Sequence, residues 1–284
     1  MPRGVPRNGF RMTKNRIAAL GRAEPIPSPI LTIGVETEEQ VEQKLALRFA
    51  ALETMAAATM EAKNASLIVS GPAGVGKSYS IEKMLQSAPR STMIKGFVRP
   101  TGLYKTLYEY RDPGCVIVFD DADSIFQDDV ALNLLKAACD TTEKRVLHWL
   151  TETRMEDEDG DRMPRSFEFQ GSIVFITNYD FDDLIRRGSK LAPHLEAMIS
   201  RSHYIDLAMK TTLDYIVRIK QVLKNGMLQA QGFTKDEELI LINFIEENQT
   251  KLRELSLRMV LKLSNLMRID RNNWQDLAKT TAFK

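Results

Sequence analysis

At 284 residues, with 43% hydrophobic and 27% charged side chains, the chain has the composition of a globular protein able to bury a large core. No apolar run reaches the length of about 18 residues that a membrane-spanning helix needs, so the sequence points away from the membrane and towards the cytoplasm. The net charge of +1 hides an asymmetry: residues 1–30 carry six basic groups against Glu24 alone, which leaves the remainder at −4 and argues against a broad nucleic-acid-binding face.

The first 30 residues, with Pro2, Pro6, Pro25, Pro27 and Pro29, read as a basic, adaptable N-terminal arm. Plain disorder, a transit segment and an arm that touches nucleic acid or another subunit all fit that composition. From Glu36 to Lys63, apolar residues recur at helical spacing (Val41, Leu45, Leu47, Phe49, Leu52, Met55, Met60). Thr37 followed by Gln40 forms a capping-box signature.

Ser66–Ser70 is a continuous apolar run, the pattern of a strand covered on both faces. It leads into Gly71-Pro72-Ala73-Gly74-Val75-Gly76-Lys77-Ser78, the spacing G-x-x-x-x-G-K-S, which opens a helical segment from Ser78 and Tyr79 to Gln86. The chemistry of that spacing is specific. Glycines let backbone N–H groups turn towards phosphate oxygens, and the following helix offers them its positive end. The lysine reaches the β- and γ-phosphates while the serine hydroxyl ligates Mg²⁺. The expectation is a nucleotide site built from residues 71–79.

Further along, Thr92–Val98 reads as a strand, Gly102–Arg111 as a short helix, and Cys115–Phe119 as a second fully buried strand. Asp120, Asp121 and Asp123 follow that strand directly. Asp120 is placed to hold Mg²⁺ with Ser78; Asp123 also suits a helix N-cap. Asp123–Cys139 is expected as a helix with Ile125, Leu132, Leu135 and Ala138 on one side. Cys115 and Cys139 are expected to be buried free thiols, and the three histidines have no zinc-type spacing.

Arg145–Thr151 and Arg165–Gln170 alternate polar and apolar residues around Asp159-Gly160, so a β-hairpin insertion is expected over about 143–171. Its tip is acidic and its flanks are basic (Lys144, Arg145, Arg154, Arg162, Arg165). Asp157, Asp159, Asp161 and Glu168 have calcium-loop spacing, but Arg162 stands where such a loop requires glycine.

Ser172–Thr177 is a third buried strand, ending at Asn178. An amide there can orient a water against a γ-phosphate, or simply cap the next helix. Met198–Ser202 closes a helix with Arg201, and His203–Leu207 is a short last strand. Beyond Met209 come helical segments at Thr211–Gly226, Thr234–Gln249 and Ser256–Ile269, with a turn at Trp274–Ala278; Arg258 opens the third.

This order (phosphate loop, strand-end Asp pair, strand-end Asn178, helix-end Arg201, then a helical region with Ser256-Leu257-Arg258) resembles the AAA+ ATPase family over roughly residues 31–280. The resemblance implies a P-loop α/β domain at 31–208 with a five-stranded parallel sheet, then a helical lid at 209–284. It implies ATP and Mg²⁺ as cofactors and a hexamer-like homo-oligomeric ring with shared sites. By the same likeness, Asp120 holds the metal, Asp121 stands at the catalytic carboxylate, Asn178 senses the γ-phosphate, Arg201 is a finger into a neighbour's site, and Arg258 is a lid sensor.

One departure is that the family usually has glutamate where Asp121 stands. Misplacing a base by about 1 Å can cost roughly 10²-fold in rate, so slow hydrolysis is expected unless the site closes further. For the substrate, the expectation is a motor acting on a nucleic-acid or protein–nucleic-acid complex, of helicase-loader or replication-helper type, with DNA or a replication protein as partner. The alternatives are a protein remodeller gripping through Leu103 and Tyr104, and a nucleotide-gated scaffold that hydrolyses little.

Overall fold

The computed structural model describes residues 36–86, 88, 90–150, 155–156 and 160–284, so the basic arm at 1–30 lies outside the described residues. Residues Thr37–Lys284 form one compact unit. Helix α1 (Glu38–Met60) starts where the sequence says it should: Thr37 Oγ1 accepts from the Gln40 backbone N–H, and Gln40 Oε1 accepts in return from Thr37 N–H at 3.0 Å. Its predicted stripe is buried except for Met55, which is half-buried, and Leu47, which is 73% exposed.

Strand β1 (Ser66–Ser70) precedes α2 (Lys77–Leu85), β2 (Arg90–Lys95), α3 (Pro100–Glu109) and β3 (Cys115–Asp120). The single helix expected after Asp123 is two elements. A 3₁₀ turn (Asp123–Phe126) is followed by α4 (Asp129–Ala138), because Asp128 accepts from Val130 N–H and Ala131 N–H and restarts the helix there. Then come β4 (Val146–His148), β5 (Ser166–Glu168), β6 (Ser172–Thr177), α5 (Phe181–Arg186), α6 (Ala192–Ile199) and β7 (His203–Asp206).

Five strands make one parallel sheet in the order β2-β3-β6-β1-β7. Alternate residues feed two cores. Ile68, Ile117, Phe119, Ile173 and Phe175 face α3, α4 and α6, whereas Leu67, Val69, Val116, Val118, Val174 and Ile176 face α1 and α2. Each such side chain contributes roughly 1.5–3 kcal/mol of burial, which is why continuous apolar runs mark central parallel strands. Cys115 and Cys139 are free and buried, as expected.

Strands β4 and β5 pair antiparallel, Val146 opposite Glu168, and the ribbon continues to a bridge between Glu156 and Arg162, so the hairpin insertion is present. Arg145, counted among its basic flanks, is spent internally: it donates to Ala138 O and Gly171 O and covers the Phe169 ring.

The carboxyl-terminal segment contains α7 (Thr212–Lys224), a 3₁₀ turn (Gln229–Gln231), α8 (Lys235–Glu247), α9 (Leu257–Ile269) and α10 (Trp274–Thr281) around a third core, with Phe244 and Trp274 ring centroids 4.8 Å apart. A polar stripe of α7 faces α1. Asp214 pairs with Lys44 at 3.1 Å, and Gln221 donates to Glu42 O at 2.9 Å.

Leu103 and Tyr104 are not a substrate-gripping loop. Both are fully buried near the start of α3, where Tyr104 packs on Trp149 and Phe167 and its hydroxyl donates to Pro164 O. Pro100 at the helix start begins the helix two residues earlier than expected and turns both side chains into the core. Among the described residues no helix is long and apolar enough to cross a membrane.

Candidate nucleotide site

All five parallel strands end on one edge, and the loops there bring together the residues singled out by sequence. Gly71, Pro72, Ala73, Gly74, Val75 and Gly76 wrap from β1 into α2. Gly74 has φ +75°, and a Cβ on it would lie 2.8 Å from Ser256 Cβ; the close approach lets Leu257 N–H donate to Gly74 O at 2.8 Å. Gly76 holds φ +101° as the cap of α2, a conformation only glycine adopts freely.

Lys77 is buried, and its ammonium donates to Gly71 O, to Pro72 O and, at 2.9 Å, to Asn178 Oδ1. Burial pulls its pKa down to about 8, against the raising influence of Asp121 and Asp120. Asn178 in turn donates from Nδ2 to Asp121 Oδ1 at 2.7 Å, so Lys77, Asn178 and Asp121 form one hydrogen-bonded chain. Asn178 does not cap the next helix; Asp180 does, accepting from Asp183 N–H at 2.8 Å.

Asp121 is exposed and has φ +52°, a left-handed backbone uncommon outside glycine and of a kind found concentrated at functional sites. Its own N–H donates to Ile176 O at 3.1 Å. Asp120 is buried at the end of β3, where its Oδ1 accepts from Ser78 Oγ at 2.8 Å. Asp123 accepts from Thr177 Oγ1 at 2.6 Å, and burial raises its carboxyl pKa.

A cleft of about 1170 Å³ opens beside this edge between α1, the phosphate loop, α7 and the start of α9; Gly74, Ser78, Tyr79, Asp121 and Asn178 line it. Arg258, exposed at the first turn of α9, lines it too and is close enough to Lys77 to oppose the lysine's charge. Ser78 and Asp120 are the residues that could hold a divalent cation. Among the described residues no cluster of three or more His, Cys, Asp or Glu makes a metal cage by itself. One hydroxyl beside one carboxylate instead suits Mg²⁺, which keeps waters and shares phosphate oxygens.

Arg201 is the exception. Its backbone carbonyl accepts from Ser66 Oγ at the opposite end of β1, roughly 15 Å of strand away from the phosphate loop. Its guanidinium donates to Ala197 O and pairs with Asp140 at 3.5 Å.

Two side chains escaped the sequence reading. Arg218, on α7, donates to Val75 O at 3.2 Å with its guanidinium 3.2 Å from the Phe49 ring centroid, and burial lowers its pKa to about 10. A lone arginine in an amphipathic helix reads as solvated; only its place on the Asp214–Gln221 stripe signals otherwise. Lys95, at the end of β2, lies 3.4 Å from Asp120 Oδ2, a pairing visible only once strand register is known.

Residues 29–161 match the family described as the MTBMA_p00010 P-loop domain. The chain is 38% identical over 249 residues to the 36.7 kDa protein of the nrdC–mobD intergenic region of Enterobacteria phage T4, covering 86% of this chain and 76% of the phage protein. Among solved structures it is similar to the RuvB Holliday junction branch migration motor of Thermotoga maritima (13% identity, 83% of this chain, 64% of that one, TM-score 0.42). It is also similar to NtrX of Brucella abortus in complex with ATP (10% identity, 82% and 63%, TM-score 0.41). The chain thus spans a little under two thirds of the length of either structure. With its phosphate loop, strand-end carboxylates and parallel five-stranded sheet, the chain has a P-loop α/β fold and belongs to the family of that phage T4 protein.

Proposed function

We propose that the chain binds and hydrolyses ATP with Mg²⁺ and works as a ring motor whose sites are completed between copies. The observation that carries nucleotide binding is the buried Lys77 held among Gly71 O, Pro72 O and Asn178 at the mouth of the cleft. An ammonium kept there without a buried carboxylate in direct contact is poised for phosphate oxygens.

When bound, ATP supplies the transferred phosphoryl group and Mg²⁺ compensates its charge. Lys77 and the loop N–H groups bind and orient the phosphates. Ser78 and Asp120 hold the cation. Asp121 accepts the proton of the attacking water, with Asn178 fixing its carboxylate through the 2.7 Å hydrogen bond. Arg258 closes on the site from α9. Arg201, remote from its own phosphate loop, reaches the nucleotide of a neighbouring copy and stabilises charge in the transition state there.

A nucleic-acid or protein–nucleic-acid complex is the substrate we favour, supported by the exposed Lys144, Arg162 and Arg165 on the β4–β5 hairpin. ATP turnover measured with and without single-stranded, duplex and forked DNA, alongside native mass in ATP and in ADP, tests this. Stimulation by DNA and a larger particle in ATP are expected; turnover indifferent to every DNA would remove nucleic acid as the substrate. A protein-remodelling reading then rests on Phe97, which is 76% exposed in the loop between β2 and α3.

A further inference from the structure

The end of β2 places one lysine between the candidate nucleotide site and that exposed loop. Strand register sets Lys95 directly across from Asp120, the last residues of neighbouring strands. The Asp120 carboxylate divides its oxygens: Oδ1 accepts from Ser78 Oγ at 2.8 Å, and Oδ2 faces Lys95 Nζ at 3.4 Å. The two partners differ in freedom, since the Asp120 side chain is 5% exposed and the Lys95 side chain 57%. The carboxylate is fixed, and the ammonium can swing into solvent.

Immediately after Lys95 the chain turns at Gly96, with φ +95° and nothing within 4 Å of where a Cβ would stand. Phe97 then projects outward, 76% exposed. The loop's far side is tied down by Val98 N–H donating to Ser124 Oγ at 3.2 Å, in the 3₁₀ turn that begins at Asp123.

We propose that Lys95 is a positioning residue that competes with the divalent cation for Asp120 and thereby couples occupancy of that carboxylate to the presentation of Phe97. The proposal rests on the reading of Ser78 and Asp120 as the cation's holders. A cation drawing on Asp120 displaces a like charge 3.4 Å from it. The displaced lysine carries the flexible Gly96 and the Phe97 side chain with it. Coupling of this kind is reciprocal: a partner that engages Phe97 and draws Lys95 away strengthens cation binding by the same factor.

The test uses Mn²⁺ as the probe cation, titrated against the full chain saturated with ADP, with free Mn²⁺ read by electron paramagnetic resonance. Lys95→Met is expected to tighten Mn²⁺ binding about twofold to fivefold, the range of a partly exposed ion pair. In a Phe97→Cys chain labelled with an environment-sensitive fluorophore, selective because Cys115 and Cys139 are buried, Mn²⁺ should shift the emission, and adding Lys95→Met should abolish the shift. Unchanged or weaker Mn²⁺ binding in Lys95→Met, or an emission shift that survives it, would overturn the proposal. Asp120→Asn separates the two layers: if it leaves Mn²⁺ binding intact, the cation site itself is misassigned and the fault does not lie with Lys95.

Discussion

The two ends of the parallel sheet are built on different terms. At the carboxyl end, polar side chains from the start of α2 and from the ends of β3 and β6 are bonded to one another within a single chain: Lys77 to Asn178, Asn178 to Asp121, Ser78 to Asp120. At the other end, Arg201 pairs with Asp140 and donates to backbone and hydroxyl oxygens at the close of α6, and among the described residues no phosphate-binding element lies beside it. The contrast teaches that one chain gathers the proposed phosphate-binding groups by itself, while on the proposed reading the last positive charge for catalysis comes from a second copy.

The largest effect that separates the two ends is expected at Lys77. Lys77→Ala removes the buried ammonium and should weaken nucleotide binding by about 100-fold or more, with turnover lost altogether, as read by displacement of a fluorescent nucleotide. If binding survives, the carboxyl end is not the nucleotide site. Arg201→Ala should do the reverse, cutting turnover by about 10³-fold while nucleotide affinity changes by less than about threefold. Equal loss of affinity in both variants would erase the distinction.

The smallest effect is a proton count. Lys77 has its pKa drawn down to about 8 by burial, whereas bound phosphates favour the ammonium. The sign follows. Below about pH 8 the lysine is charged in both folded and unfolded chains, and the fold bears the cost of burying that charge. As pH rises from 8 towards the unfolded value of 10.5 the cost is relieved, so this lysine adds stability to the nucleotide-free chain over that window. Nucleotide binding between pH 8 and 9 should therefore take up a fraction of a proton, and affinity should fall with rising pH. Calorimetry in buffers of different ionisation enthalpy reads this directly, and no proton uptake would place Lys77 outside the phosphate contacts.

Much of the carboxyl end was legible because its chemistry is carried by contiguous residues. The glycine spacing before Lys77 and the carboxylates after Phe119 sit at the ends of apolar runs that only buried strands explain. What the residues alone did not tell required the fold. Leu103 and Tyr104 looked available, but Pro100 starts α3 early and both side chains turn into the core, leaving Phe97 exposed in the loop before it. The six-residue helix at Phe181–Arg186 was too short to show a period. Arg218 and Lys95 take their meaning from α1 and from β3, elements far away in sequence.

The central claim, a site shared between copies, is tested most directly by mixing two inactive chains, Lys77→Ala and Arg201→Ala, and measuring ATP turnover. In a mixed assembly some sites pair an intact phosphate loop from one chain with an intact Arg201 from the other, so turnover should reappear and rise with the mixing ratio to a maximum near equal amounts. A mixture as inactive as its components, in particles shown by native mass to contain both chains, would contradict the account.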